Sequence, residues 1–113
     1  MKQVVAFIKP HLLSRVAMAL RDIPGLTGLS IAKGQGFGRG RARSAAHRIV
    51  VDEMAYVPHV RIEVFCGDQL LAGVVDCIAT EAHTGLTGDG KIYVTDVVEA
   101  VRISDGERGP EAV

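Results

Sequence analysis

The order of hydrophobic patterns in this 113-residue chain predicts an α+β fold of the ferredoxin-like, split βαβ type. Short β-branched runs alternate with two stretches whose apolar residues recur every three or four positions, giving the order βαββαβ. A long Gly- and Arg-rich segment separates the two halves, and the length suits one domain over residues 1–113. This plan pairs the strands in an antiparallel sheet with helices on one face. The other face must be buried elsewhere, which favours self-association.

The first half of the pattern contains two strands around one helix. Residues 4–8 form a β-branched and aromatic run that Lys9-Pro10 ends, which is typical of a buried strand. Apolar residues from Leu12 to Ile23 then lie on one helical stripe. Pro24-Gly25 ends this helix, because Pro cannot continue it and Gly accepts the left-handed conformation. Residues 27–33 are predicted as the second strand.

The second half repeats the arrangement after a long loop. Residues 38–57 show no persistent period and are predicted to form a long exposed loop, a kind of segment that is usually functional or disordered. Alternation over residues 60–65 predicts a half-buried strand. Gly67-Asp68 is predicted to supply a turn and a helix cap. A second amphipathic helix over residues 70–82 and a strand over 91–94 follow.

Composition narrows the class of protein. Thirteen basic and 13 acidic residues balance, which argues against general nucleic-acid binding, and 48% hydrophobic content argues against disorder. No apolar run suits a membrane span and no signal-peptide cleavage site follows the start, so we expect a cytoplasmic protein. Cys66 and Cys77 fall in apolar patterns and are expected to pack rather than bind zinc.

Residues 97–103 fit a short helix or a strand, and residues 104–113 are predicted to form a polar extension.

Two glycine-rich segments have candidate chemistry. Residues 34–40 let the backbone approach a ligand closely, although a flexible start to the long loop explains them equally well. Residues 84–91 have the letter spacing of a phosphate-binding P-loop. However, Ile92 replaces the magnesium-binding Ser or Thr, and the segment leads from a helix into a strand. A different phosphate cradle is favoured over a plain turn, with Lys91 as its charge and Gly88 and Gly90 as its close-approach positions.

Eight segments spread over almost the whole chain match the pattern of one known family. In order they are Ile8-Lys9-Pro10, Gly28-Leu29-Ser30, Gly36-Phe37-Gly38-Arg39, Pro58–Val64, Thr84-Gly85, Gly88–Val94, Arg102-Ile103 and Gly106-Glu107. Through these segments the chain resembles the PII signal-transduction family of nitrogen regulatory proteins. The glycine-Asp-glycine-Lys run is highly specific to that family, and the long loop has the length of the family's T-loop.

The resemblance implies a homotrimeric, non-enzymatic regulator that binds ADP, AMP or ATP in clefts between subunits. Mg²⁺ is a candidate ion bound together with the nucleotide. The resemblance also implies that the T-loop contacts a target protein, and it implies no resident cofactor or metal. The nucleotide-binding residues implied in this way are Ser30, Gly36, Phe37, Gly38, Arg39, Phe65, Gly88, Asp89, Gly90, Lys91 and Arg102. The target-contacting residues are Arg41, Arg43, His47, Arg48 and Asp52.

The chain departs from the family pattern at five informative positions. Asp52 stands where many bacterial members carry a uridylylated tyrosine, which excludes that modification. Gly40 and His59 replace residues that hold magnesium and 2-oxoglutarate, which argues against a 2-oxoglutarate response and makes these two positions the candidate effector residues. Another small carboxylate or bicarbonate is expected at His59 with Arg39. Leu86 and Ser104 replace basic residues near the phosphates. With two fewer cations, we expect ADP or AMP to be preferred over ATP more than in ordinary members.

Several alternatives remain open at this point. The run His83–Leu86 is similar to a branch of the family encoded beside heavy-metal efflux pumps, which implies a membrane transporter as target and recruitment to the membrane. A conventional nitrogen-metabolism regulator is the other family reading. Outside the family, His47, Asp52, Glu53 and His59 are candidate ligands for metal sensing through loop 47–59. The chain shows no spacing typical of an enzyme's triad, and its Arg cluster contains no aromatic residue to stack nucleic-acid bases.

Overall fold

The computed structural model describes residues 1–37 and 56–113, which form one antiparallel sheet and two α-helices. In chain order the elements are β1 (Lys2–Ile8), α1 (Leu13–Arg21), β2 (Ser30–Gly36), β3 (Val57–Cys66), α2 (Leu71–Glu81) and β4 (Lys91–Asp96). The strands lie in the order β2-β3-β1-β4, and all neighbours are antiparallel. The predicted α+β, ferredoxin-like fold is confirmed.

The core lies between the sheet and the two helices. On the central strands β1 and β3 every second side chain is buried, as the alternating pattern predicts. Both helices direct their apolar stripes at this same face of the sheet. Each fully buried aliphatic side chain contributes about 1.5–3 kcal/mol to the free energy of unfolding. The largest are Leu20, Ile62, Ile78, Val4, Val16, Val60, Val64 and Val74.

Each helix begins with a 3-10 turn, at Pro10–Leu12 before α1 and at Asp68–Leu70 before α2. The predicted helix cap at Asp68 is wrong, since no side-chain hydrogen bond caps that turn. The Asp68 carboxylate instead accepts a hydrogen bond of 2.8 Å from the amino group of Met1, which lowers the pKa of Asp68. A charged donor is a stronger partner for a carboxylate than a neutral backbone amide.

Strand β2 lies three residues further along the chain than predicted and runs through two glycines. The predicted strand was 27–33, whereas pairing with β3 holds Gly34 opposite His59 and Gly36 opposite Val57. The His59 ring covers both glycines, and a Cβ at Gly34 would lie 2.9 Å from its Nε2 atom. The glycines are therefore strand residues that make room for a ring. Strand β3 in turn begins at Val57, the last residue of the predicted loop.

The C-terminal segment folds back on itself. Residues 97–103 form neither a helix nor a strand, and only Val101 pairs, as an isolated β-bridge with Arg108. The Gly109 N–H donates a hydrogen bond of 2.9 Å to the Ala100 carbonyl, and a 3-10 turn follows at Pro110–Ala112. The predicted polar extension is thus packed against the segment before it. Within the described ranges, no helix combines the length and apolar character that crossing a membrane requires.

Candidate functional site

The glycine loop, residues 84–91, leads from α2 into β4, which is the reverse of a P-loop and agrees with the sequence analysis. Its backbone depends on three positive φ angles, at Gly85, Gly88 and Gly90. At Gly90 a Cβ would lie 1.7 Å from the carbonyl oxygen of Phe7, so only glycine lets the loop cross the end of β1 this closely. The position where a P-loop needs its hydroxyl is filled by Ile92, which packs against the core.

The Asp89 side chain stabilises the glycine loop through hydrogen bonds within the loop. Its carboxylate accepts hydrogen bonds from the Thr84 N–H (2.8 Å), the Thr84 hydroxyl and the Gly85 N–H (3.1 Å). Lys9 Nζ lies 3.1 Å from the same carboxylate, and His83 Nδ1 lies 3.4 Å from it. The Thr84 hydrogen bonds are the main reason that the pKa of Asp89 falls far below its ordinary value. The carboxylate therefore ties Thr84 and Gly85, at the start of the loop, to its end.

Lys91 is the cation that the glycine loop leaves available. It lines a small cleft of about 270 Å³ between the start of β4, the end of β1 and the end of α2, together with Asp89 and Gly90. Within the described part of the chain Lys91 makes no ion pair, whereas Lys9 is committed to Asp89. The Leu86 side chain, 72% exposed, adds no charge to the loop. The loop therefore offers backbone amides and one unpaired ammonium, which suits an anion.

A second cleft, with a volume of about 520 Å³, opens beside the first residues of β2. It combines apolar walls with two carboxylates, an environment suited to a flat, partly polar group. Ser30 and Phe65, both among the predicted nucleotide-binding residues, line it. We call it the C-terminal cleft because residues after β4 form its opposite wall. Its lining is Thr27–Ser30, Glu63, Phe65, Val97, Glu99–Val101, Ala112 and Val113.

Arg102 directly follows the cleft residue Val101 and is held by its own segment. Its guanidinium donates a hydrogen bond of 2.8 Å to Asp105 and a second one to the Glu111 carbonyl. Asp105 also accepts the Glu107 N–H at 3.0 Å. That bond and, second to it, Arg102 lower the pKa of Asp105. Arg102, one of the predicted nucleotide-binding residues, is therefore paired internally in this structure.

The sheet face away from the helices carries the candidate effector residue His59. Its ring contacts the edge of Phe7 at a centroid distance of 5.3 Å, and Phe7 contacts Tyr93 at 6.2 Å. Beside these rings, Gln3 donates to Glu63 at 2.7 Å. Thr95 donates to Gln3 at 2.8 Å, and Arg61 donates to Glu63 at 3.1 Å. This face is a mixed aromatic and polar surface that nothing within the described ranges covers.

One chain keeps the two clefts apart. Strand register places Lys91 opposite Phe7 on β1 and Phe65 opposite Gln3. Phe7 and Gln3 are four residues apart along β1, which corresponds to about 13 Å. Across the sheet, β4 and β3 lie on either side of β1, so they are separated by two strand spacings of about 4.8 Å each. The glycine loop and the C-terminal cleft are thus about 16 Å apart, on opposite sides of β1.

Comparison with known proteins shows the family of the chain. The family model described as "Nitrogen regulatory protein P-II" matches residues 1–107. The chain belongs to the nitrogen regulatory protein P-II family. Over the full length of both chains it is 40% identical to the nitrogen regulatory protein P-II of Azospirillum brasilense and 39% identical to that of Bradyrhizobium diazoefficiens. It is 37% identical to nitrogen regulatory protein P-II 1 of Escherichia coli.

Membership of the P-II family confirms two functional predictions. P-II proteins are signal-transduction regulators rather than enzymes, so the expectation of a non-enzymatic regulator is confirmed. They act by contacting target proteins and they assemble into oligomers.

Part of the predicted P-II site lies outside the described residues. This group comprises Gly38, Arg39, Gly40, Arg41, Arg43, His47, Arg48, Asp52 and Glu53. Just before it, Gly36 ends β2, and the ring of Phe37 lies 6.0 Å from that of Tyr56, where the described chain resumes. Across residues 1–37 and 56–113, no three His, Cys, Asp or Glu side chains are grouped to hold a metal ion. The loop-based metal reading stays a prediction.

Sequence reasoning missed several residues that shape the site. The sequence indicates Lys9 only as the end of a strand and part of a family motif, yet it pairs with Asp89 across the glycine loop. It indicates Thr84 only as part of a motif, yet Thr84 is the main partner of that carboxylate. A signal was available, since a lone Asp among glycines favours hydrogen bonds to nearby backbone amides. The roles of Glu99 and Ala112 in the C-terminal cleft depend on a fold-back that no pattern in the sequence indicates.

Proposed function

We propose that this P-II protein is a homotrimeric sensor that binds adenine nucleotides between subunits. One subunit would supply the C-terminal cleft and Arg102, and its neighbour would supply the glycine loop with Lys91. The observation that carries the proposal is the separation of these two groups within one chain, each of them open to solvent. A closed oligomer brings different patches of neighbouring copies together, and the uncovered sheet face gives these copies a reason to associate.

The chemistry of the two groups is complementary. The C-terminal cleft has the size and mixed lining that a nucleoside needs, with the Ser30 hydroxyl and the Glu63 carboxylate beside Phe65. The glycine loop offers amides and the Lys91 ammonium, and charge-assisted hydrogen bonds from Lys91 and Arg102 to phosphate oxygens would be the strongest contacts in the site. Asp89 lines the cleft beside Lys91, but its carboxylate already accepts hydrogen bonds from Thr84 and Gly85, so we assign it to shaping the loop rather than touching phosphate.

A subunit-mixing experiment tests the shared site. Lys91→Ala and Arg102→Ala each remove one phosphate-binding cation, from different halves of the site. Each variant alone is expected to bind ADP about tenfold or more weakly by calorimetry, because charge-assisted bonds are lost. In co-assembled mixtures, about one quarter of the sites would pair an intact cleft with an intact loop and regain full affinity.

Arg21→Ala, at the exposed end of α1, is the control for loss of one positive charge and is expected to bind normally. Mass spectrometry of the intact assemblies verifies three subunits and their mixing. Mixed assemblies in which no site recovers would refute the shared site. Wild-type protein that binds no adenine nucleotide would refute the nucleotide proposal itself.

Nucleotide preference is a second part of the proposal. We propose that ADP or AMP is favoured over ATP more than in ordinary members, because Leu86 leaves the glycine loop without a further charge and Lys9 is neutralised by Asp89. Titrations with AMP, ADP and ATP, each with and without Mg²⁺ and 2-oxoglutarate, test it. ATP bound at least tenfold more tightly than ADP would overturn the preference, and tighter ATP binding with 2-oxoglutarate would show that Gly40 and His59 still support a conventional response.

Signalling to the target would pass through residues 38–57. We propose a membrane transporter as the target, on the resemblance of the run His83–Leu86 to the branch encoded beside efflux pumps. A photo-crosslinking residue at Arg48 is expected to capture a membrane protein from cells in a nucleotide-dependent way. The same group at Asp76, exposed on α2, is the matched control and is expected to capture none. Capture of a nitrogen-metabolism enzyme at Arg48 would favour the conventional reading instead.

A further inference from the structure

The guanidinium of Arg102 is engaged by its own chain in the way that a phosphate would engage it. One terminal nitrogen donates to the Asp105 carboxylate at 2.8 Å, and the other donates to the Glu111 carbonyl. A guanidinium presents its donors as a rigid fork that matches two oxygens at a time. A phosphate group that binds the same two nitrogens therefore competes with these acceptors.

The partners of Arg102 are held in place by the fold-back of the C-terminal segment. The Arg102 N–H donates to the Glu107 carbonyl at 2.8 Å, and the Gly106 N–H donates to the Arg102 carbonyl at 2.8 Å, which closes a tight turn around Asp105. The second acceptor, Glu111, directly precedes Ala112, which lines the C-terminal cleft. The turn therefore fixes a negative charge beside Arg102, which directly follows the cleft residue Val101.

We propose that Asp105 is an internal competitor for phosphate at Arg102, an acidic latch that sets nucleotide affinity and opens when nucleotide binds. This inference rests on the proposed nucleotide site and deepens it by naming how its affinity is regulated. The pair is about half exposed, with side-chain exposures of 42% for Arg102 and 52% for Asp105, so water and a ligand both reach it. A pair in such a setting is weak enough for a polyanion to displace.

Asp105→Asn tests the latch without unfolding the turn. The amide oxygen of Asn can still accept the Glu107 N–H that Asp105 accepts at 3.0 Å, whereas the negative charge opposite Arg102 is lost. We expect the variant to bind ADP about two- to fivefold more tightly than wild type, the factor that corresponds to an exposed ion pair. Adenosine, which carries no phosphate, is expected to bind both proteins equally.

Two further variants isolate the Arg102 interaction. Asp76→Asn makes the same change of net charge on the exposed surface of α2 and is expected to leave ADP binding unchanged. In an Arg102→Ala background, Asp105→Asn is expected to add nothing, because the competitor has lost its cation. Circular dichroism and thermal melts of each variant confirm that the turn and fold persist.

The outcomes separate the latch from the nucleotide site. If the wild type binds ADP and Asp105→Asn binds it equally or more weakly, the latch is overturned but the proposed nucleotide site is not. A gain that appears equally with adenosine, or that survives in the Arg102→Ala background, would overturn it as well. Failure of the wild type to bind any adenine nucleotide would overturn the proposed function and the latch together.

Discussion

Gly90 offers the sharpest test of how the glycine loop is built. In Gly90→Ala the new Cβ would lie 1.7 Å from the carbonyl oxygen of Phe7, and contacts of this kind below 3.0 Å essentially never occur. Relief requires the start of β4 to move by more than 1 Å from β1, which breaks the pairing of Lys91 with Phe7. The backbone at Gly90, with φ +103°, adds a second cost for any residue with a Cβ.

The magnitude follows from these two terms. A left-handed φ costs an alanine about 1–2 kcal/mol, and each ladder hydrogen bond that is lost costs about 1 kcal/mol. With one or two ladder hydrogen bonds lost, Gly90→Ala is expected to lower the free energy of unfolding by about 3 kcal/mol. Urea denaturation measures it, at one fixed protein concentration because association shifts the apparent stability.

Two matched glycines separate the terms. Gly88 has a φ of +86° but only a side-chain carbon of Lys9 within reach, at 3.9 Å. Gly88→Ala should cost only the backbone term of about 1–2 kcal/mol. Gly73 lies within α2 with open space around it, so Gly73→Ala should stabilise the protein by about 0.5–1 kcal/mol. If Gly90→Ala and Gly88→Ala cost the same, the close approach to Phe7 contributes nothing and our reasoning fails.

Three further predictions follow from the core and the loop. Asp89→Asn should lower Tm at neutral pH, and the difference in Tm from wild type should narrow as pH falls below 3.8. The reason is that a carboxylate with a lowered pKa stabilises the fold above its ordinary pKa and loses this effect on protonation. An unchanged difference in Tm at acid pH would contradict this prediction. Leu20→Ala should cost about 2–5 kcal/mol in urea denaturation, whereas Met18→Ala, at a side chain 67% exposed, should stay within about 0.5 kcal/mol. Burial raises the pKa of the Cys66 thiol, so a thiol reagent should label Cys66 only upon unfolding, and rapid labelling of the native protein would count against its burial.

The parts of the fold that the sequence predicts are those with a strong hydrophobic period. The helices around Val16 and Val74 and the alternating strand through Ile62 fall where the pattern places them. Glycine caused the main error in the sheet. Gly34 and Gly36 have no β propensity, and the ladder includes them because β3 supplies the pairing and a ring fills their space.

The site shows a different limit. The sequence indicates which residues are suited to a phosphate, such as Lys91 in its glycine loop, because this information is local. It does not indicate that Arg102 is paired with Asp105, since that contact depends on the turn at residues 102–106. Nor does it indicate that Ser30 and Lys91 lie apart in one chain, which follows only from the strand order.

The ring of His59 over Gly34 also constrains how this protein can vary. The ring is held on one side by Phe7, so a methyl group at position 34, 2.9 Å from Nε2, would force it to turn. Positions 34 and 59 are therefore expected to change together in evolution. A lineage that gains a side chain at position 34 should first replace the ring at position 59 with a smaller residue. Substitution of Gly34 before His59 should be rare.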